Sequence, residues 1–176
     1  MKAEIKSACS QWHNTQWEGS FYPEDLPVDW KLDYYSNEFS ALLLLSPEQV
    51  NDELYECLED NLNEDFHLFF ANFNLEQDLQ CLDQDLNLVK LNDFHDVANY
   101  PGLSCTNSFD ESAEYYSTGF YLYQADRLLT PKELRTLAEF LLQHSAGDTG
   151  EIYLFFSDSR HAIENSRNLQ LLSQML

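Results

Sequence analysis

Ala8-Cys-Ser-Gln-Trp-His-Asn-Thr-Gln-Trp-Glu-Gly-Ser-Phe-Tyr-Pro-Glu-Asp-Leu-Pro-Val-Asp-Trp30 is the stretch on which the reading of the fold turns. It holds all three tryptophans, Trp12, Trp17 and Trp30, with Phe21 and Tyr22, and Pro23 and Pro27 punctuate it. A short strand-like run, Ile5 to Cys9, precedes it. A helix opening at Pro27 follows, where a missing N–H costs nothing. Its inward side is read as Trp30, Tyr34 and Phe39, with Leu32 and Tyr35 nearby. A long aromatic loop between a strand and a helix is the place where α/β proteins carry sites.

The same alternation continues outward. Ala41-Leu-Leu-Leu-Leu45 is a continuous apolar run, as expected of a strand covered on both faces. Ser46-Pro47-Glu48-Gln49 is a capping-box helix start, and Val50, Leu54, Cys57 and Leu58 form the apolar stripe behind it. Phe66 to Phe70 is the next strand, Leu75 to Leu82 a weak helix, and Leu86 to Leu91 a further strand. Residues 92–114 carry Asn, Asp, Ser, Pro101 and Gly102, and read as irregular. Gly119 to Tyr123 is a strand, and Thr130-Pro131-Lys132-Glu133 caps a helix with the stripe Leu134, Leu137, Ala138, Leu141 and Leu142. Glu151 to Phe156 is a strand. His161 to Leu176 is a last helix with Ile163, Leu169, Leu172 and Met175 inward. Strands alternating with helices imply right-handed βαβ units and five to six mainly parallel strands with flanking helices. A full eight-fold barrel takes about 250 residues, so 176 residues imply an incomplete or reduced TIM-barrel-like sheet in a single domain, 1–176.

The formal net charge of -22 disfavours direct nucleic acid binding, which needs Lys and Arg, and an anionic membrane surface. It favours a basic protein partner. Between Lys31 and Lys90 there is no Lys or Arg but there are 14 acids. On the second helix Asp52, Glu53, Glu56, Glu59 and Asp60 cover the solvent side. The four cysteines, Cys9, Cys57, Cys81 and Cys105, match no C-x-x-C or zinc spacing. With no apolar leader and no apolar run long enough to span a membrane, they read as reduced thiols in a cytoplasmic protein.

Both ends of the chain resemble the YecE-like family, a domain family of unknown function with a TIM-barrel-like fold. Cys9-Ser10-Gln11-Trp12, Trp17, Phe21-Tyr22-Pro23-Glu24-Asp25-Leu26-Pro27 and Tyr34-Tyr35 are similar to the family's opening. Leu129 to Ala138, Tyr153 to Asp158 and Asn165 to Leu169 are similar to its end. The resemblance covers residues 5–70 and 116–172. Where the family's second strand carries a Glu and an Asn, this chain has Leu42 to Leu45. The lysine ending the family's third strand has no counterpart near Ala71. The family's Arg-Leu-His-Gly strand is replaced by Tyr121 to Ala125, its paired Asn by Ser157 and Asp158, and its early Gly by Gln11. The resemblance thus implies a shortened, divergent member with the aromatic scaffold and without most of the pocket's polar groups.

Two functions fit these residues. In the first, a non-catalytic interaction module meets a basic partner through Asp52, Glu53, Glu56, Glu59 and Asp60. In the second, Trp12, Trp17, Tyr22, Tyr121, Tyr123, Asp158 and Arg160 form an aromatic-lined ligand or hydrolase-like pocket at the strand C-terminal ends. No catalytic signature supports the second: there is no Gly-x-Ser-x-Gly, no Walker loop and no paired histidines. A constellation of His13, His161 and Asp158 is conceivable. The Asp83-Gln-Asp85 run lacks the glycine and the final glutamate of a calcium loop. No cofactor is expected. A shortened sheet leaves two open edges, to be covered by residues 92–114 or by a second copy in a homodimer.

Overall fold

The computed structural model describes residues 3–59, 62–71, 87–106, 117–145 and 150–176. Its strands are β1 (Glu4–Cys9), β2 (Ala41–Leu44), β3 (His67–Ala71), β4 (Asn87–Leu91), β5 (His95–Asp96), β6 (Leu103–Thr106), β7 (Ser117–Tyr123) and β8 (Glu151–Phe156). Its helices are α1 (Val28–Ser36), α2 (Asp52–Glu59), α3 (Pro131–His144) and α4 (Ala162–Ser173). The strands form one sheet in the order β4-β3-β2-β1-β8-β7-β6-β5. Pairing is parallel from β4 through β7 and antiparallel for β6 with its two neighbours.

The count of eight strands corrects the expectation of five to six. The two extra strands, β5 and β6, lie in the stretch read as irregular. They are too short to show a period: β6 takes its register from β7, with Leu103 opposite Tyr123 and Thr106 opposite Phe120, and β5 takes its own from β6, with His95 opposite Cys105. Asn99 (φ 67) and Gly102 (φ 80) make the turn that permits this. Thr106 donates its hydroxyl to the Asn92 carbonyl at 2.8 Å, tying the end of β6 to the exit of β4. The helix read at Leu75–Leu82, Cys81 and the Asp83–Asp85 run lie outside the described residues.

The sheet curls. Phe69 on β3 touches Phe120 on β7 (5.2 Å between ring centroids) and Tyr153 on β8 (4.8 Å), although β2 and β1 stand between them in the sheet. The concave face is a buried apolar cluster of Ala8, Ala41, Leu43, Phe69, Ala71, Val89, Leu91, Phe120, Leu122, Tyr153 and Phe155. The convex face packs against the helices. All four residues of β2 are buried, as the run of leucines implies.

Three helix readings are adjusted. In α1 the buried residues are Lys31, Leu32, Tyr35 and Ser36, whereas Trp30 is 57% exposed and Tyr34 is also exposed. Two apolar rows compete on this helix. The row Leu32, Tyr35, Phe39 wins because the Tyr35 hydroxyl accepts from the Cys9 N–H (2.9 Å) and donates to the Ala41 carbonyl (3.1 Å), joining β1 to β2. The Ser46/Gln49 capping box is present but closes a 3-10 turn, Pro47–Gln49, and α2 begins only at Asp52. In α4 the inner face is Ala162, Ile163, Asn165, Ser166 and Leu169, while Met175, beyond the helix end, is 86% exposed.

The Thr130/Glu133 box on α3 forms as read. Hydrogen bonds from Arg127, then from Thr130, hold the Glu133 carboxyl down at about 2. A depressed carboxyl contributes stability above the ordinary glutamate range and loses it as pH falls through its folded value. We expect an NMR titration of Glu133 to show a midpoint near that low value, raised by Arg127→Ala. Thr130→Ala should cost about 1 kcal/mol in urea unfolding.

Candidate functional site

The aromatic loop after β1 is a built structure. Asn14 caps the 3-10 turn Thr15–Trp17 by accepting from the Gln16 N–H at 2.8 Å. The Trp17 carbonyl accepts from the N–H groups of Ser20, Phe21 and Tyr22, and Gly19 (φ 73) returns its N–H to the Tyr22 carbonyl at 2.8 Å. Trp12, Trp17, Phe21 and Tyr22 are all buried. The indole of Trp17 donates to the Ser159 carbonyl at 3.0 Å, and the Tyr22 hydroxyl donates to the Trp12 carbonyl. Burial pushes the Tyr22 hydroxyl and the Cys9 thiol far up, so both stay protonated. Cys9 is fully buried, a thiol packed in the core.

Beside the aromatics runs a chain of charged groups. Lys31 from α1 is 3% exposed. Its ammonium donates to Glu18 Oε1 at 2.8 Å, lies 3.4 Å from His13 Nε2, and sits 5.6 Å from the Tyr22 ring centre. The other ring nitrogen, His13 Nδ1, faces Glu53 Oε2 at 3.3 Å. The Lys31 hydrogen bond and charge lower the exposed Glu18 carboxyl. This chain clamps the loop to α1 and α2. Sequence reasoning missed Lys31; its only signal was standing as the last base before the long acidic segment.

The strand C-terminal ends, where barrel enzymes keep their chemistry, are apolar on the concave side. Leu43, Ala71, Leu91, Leu122 and Phe155 are buried there, and Leu45 and Phe94 pack on the same cluster. Polar groups of this face collect at the opposite end: Tyr153 donates to Glu151 at 2.6 Å, and Lys6 bridges Glu4 and Glu151. Among the described residues no three His, Cys, Asp or Glu side chains are arranged to hold a metal ion.

Of the proposed pocket residues, Trp12, Trp17 and Tyr22 come together, as core. Tyr121 and Tyr123 lie on β7, which β8 separates from β1. Tyr121 is buried, and Tyr123 packs on Tyr100 and Phe156. Asp158 is exposed and accepts from the Asn14 amide at 2.7 Å. Arg160 is exposed at a cleft of about 530 Å³ shared with Trp17, His161 and Arg167. His13 turns to Glu53 and His161 ends up as the N-cap of α4, so the two are not joined through Asp158. Of the acidic set, Asp52 and Glu53 are exposed, Glu56 and Glu59 lie on α2, and Asp60 falls outside the described residues.

No described helix is long and apolar enough to cross a membrane. No protein-family model matches the chain, and no curated protein does. Among solved structures, a DUF72 family protein from Thermotoga maritima aligns with a TM-score of 0.53 at 13% identity, over 98% of this chain and 98% of that one. At that identity the likeness is one of fold alone: the curled α/β sheet built here is similar to that of a DUF72 family protein.

Proposed function

We propose that this chain is a non-catalytic interaction protein, a divergent relative of the YecE-like family, which binds a basic protein partner through its acidic outer face. The observation that carries the reading is the apolar lining of the strand ends: Leu43, Ala71, Leu91, Leu122 and Phe155 occupy the positions where a barrel enzyme would gather polar groups. What remains reactive toward a partner is charge. Glu48, Asp52 and Glu53 are exposed on and before α2, in a segment without Lys or Arg. Complementary charge of this kind steers a basic partner and disfavours an acidic one. Cys9 and Cys105 are free thiols, in keeping with a cytoplasmic setting.

The competing reading, a small-ligand site, has in its favour the cleft beside Trp17 and Arg160. Against it, the polar groups around that loop already bond one another: Asn14 to Asp158, Trp17 to Ser159, Lys31 to Glu18.

The test is affinity capture on the immobilised chain, with elution by salt and identification of what elutes. We expect basic proteins that elute as salt rises and that are lost with the double variant Glu48→Lys, Asp52→Lys. Capture that is indifferent to salt and to charge reversal would count against the proposal.

A further inference from the structure

We infer that the outer face of α1 seats an arginine-rich segment of the partner, with Trp30 as its anchor; this rests on the basic-partner reading and names the surface and the chemistry. Trp30 is 57% exposed, whereas Trp12 and Trp17 are 2% and 1% exposed. A half-open indole on a regular helix is not needed for the core, because Leu32 and Tyr35 already fill that role.

The surroundings of Trp30 select its occupant. Tyr34 stands four residues on and shares its face. The Tyr34 ring is fixed by edge contacts to Phe21 (5.5 Å) and Tyr22 (5.8 Å), and Trp30 precedes it by about one helical turn on the same side of α1. Asp29 and Asp33 run beside this row, and Asp25 is exposed just before the helix. These three carboxylates make no ion pair with any described residue. The helix's one base, Lys31, points inward and is held by Glu18. Aromatic faces flanked by unpaired carboxylates match a guanidinium, which stacks on the ring and donates to acids in its own plane. An ammonium matches less well, being a compact, strongly hydrated point charge. A second copy of the chain would set acid against acid across the contact. An exposed tryptophan is also the residue type that most often dominates an interface. Because α1 packs beside α2, with the Cys57 thiol 3.3 Å from the Val28 carbonyl, one partner can reach both acidic faces.

The experiment titrates the full chain with deca-arginine and deca-lysine by calorimetry. We expect deca-arginine to bind more tightly. Trp30→Ala should weaken deca-arginine about tenfold, with a smaller effect on deca-lysine and recovery in Trp30→Tyr. Asp29→Asn with Asp33→Asn should weaken deca-arginine further, and circular dichroism should report all variants folded. If Trp30→Ala leaves deca-arginine binding within about twofold while Glu48→Lys, Asp52→Lys removes it, this inference is overturned and the basic-partner reading stands. If neither peptide binds, both fall.

Discussion

Trp17→Ala will lower the stability of the protein by about 3–5 kcal/mol, the range for deleting a buried large aromatic. The ring is 1% exposed and packs edge-on to Phe21 at 6.3 Å and against Tyr22 at 6.4 Å. Its Nε1–H also ties the loop to the β8–α4 connection, through the Ser159 carbonyl, beside the Asn14–Asp158 hydrogen bond. Removing it opens a cavity where the loop meets that connection and takes a donor from the Ser159 carbonyl, which keeps the Ala162 N–H. Trp17→Phe retains most of the ring and should cost about 1 kcal/mol for the lost hydrogen bond, with packing losses added. Urea unfolding followed by circular dichroism measures both. A loss near zero for Trp17→Ala would mark the ring as a ligand surface awaiting its occupant and would revive the pocket reading of the aromatic loop.

That prediction is one the sequence could motivate, because dense aromatic content in one short loop is visible without coordinates. The same holds for β2, whose leucines are buried on both faces, and for the Thr130 capping box, where each signal is local. The barrel-like arrangement, too, was within reach from the opening motif. What escaped depends on distant partners. β6 acquires strand geometry by pairing with β7, and β5 by pairing with β6. Lys31 is buried because Glu18 and His13, from a separate loop, meet it there. Trp30 reads as core by its chemistry, and is displaced from the core by a tyrosine whose hydroxyl bridges two strands. The acidic set on α2 was legible as charge, but the engagement of Glu53 by His13 was not.

The second large effect is expected at Phe69→Ala, again about 3–5 kcal/mol. Phe69 is fully buried on the concave face, where its ring meets Phe120, Tyr153 and Phe155 at 4.8 to 5.5 Å between centroids. These contacts cross the sheet from β3 to β7 and β8, so they hold its curl as well as filling its interior. Alanine leaves a void lined by rings and aliphatic side chains that the surrounding strands close only in part, which is why the cavity penalty adds to the lost burial. Phe69→Leu keeps most of the volume and should cost less. The milder variant also separates scaffold from function. If the concave face only supports the fold, Phe69→Leu will lower the unfolding midpoint while leaving salt-dependent capture of basic proteins unchanged below that midpoint. A fall in capture at full folding would mean that the interior takes part in binding, and that the apolar strand ends had been assigned to the wrong role.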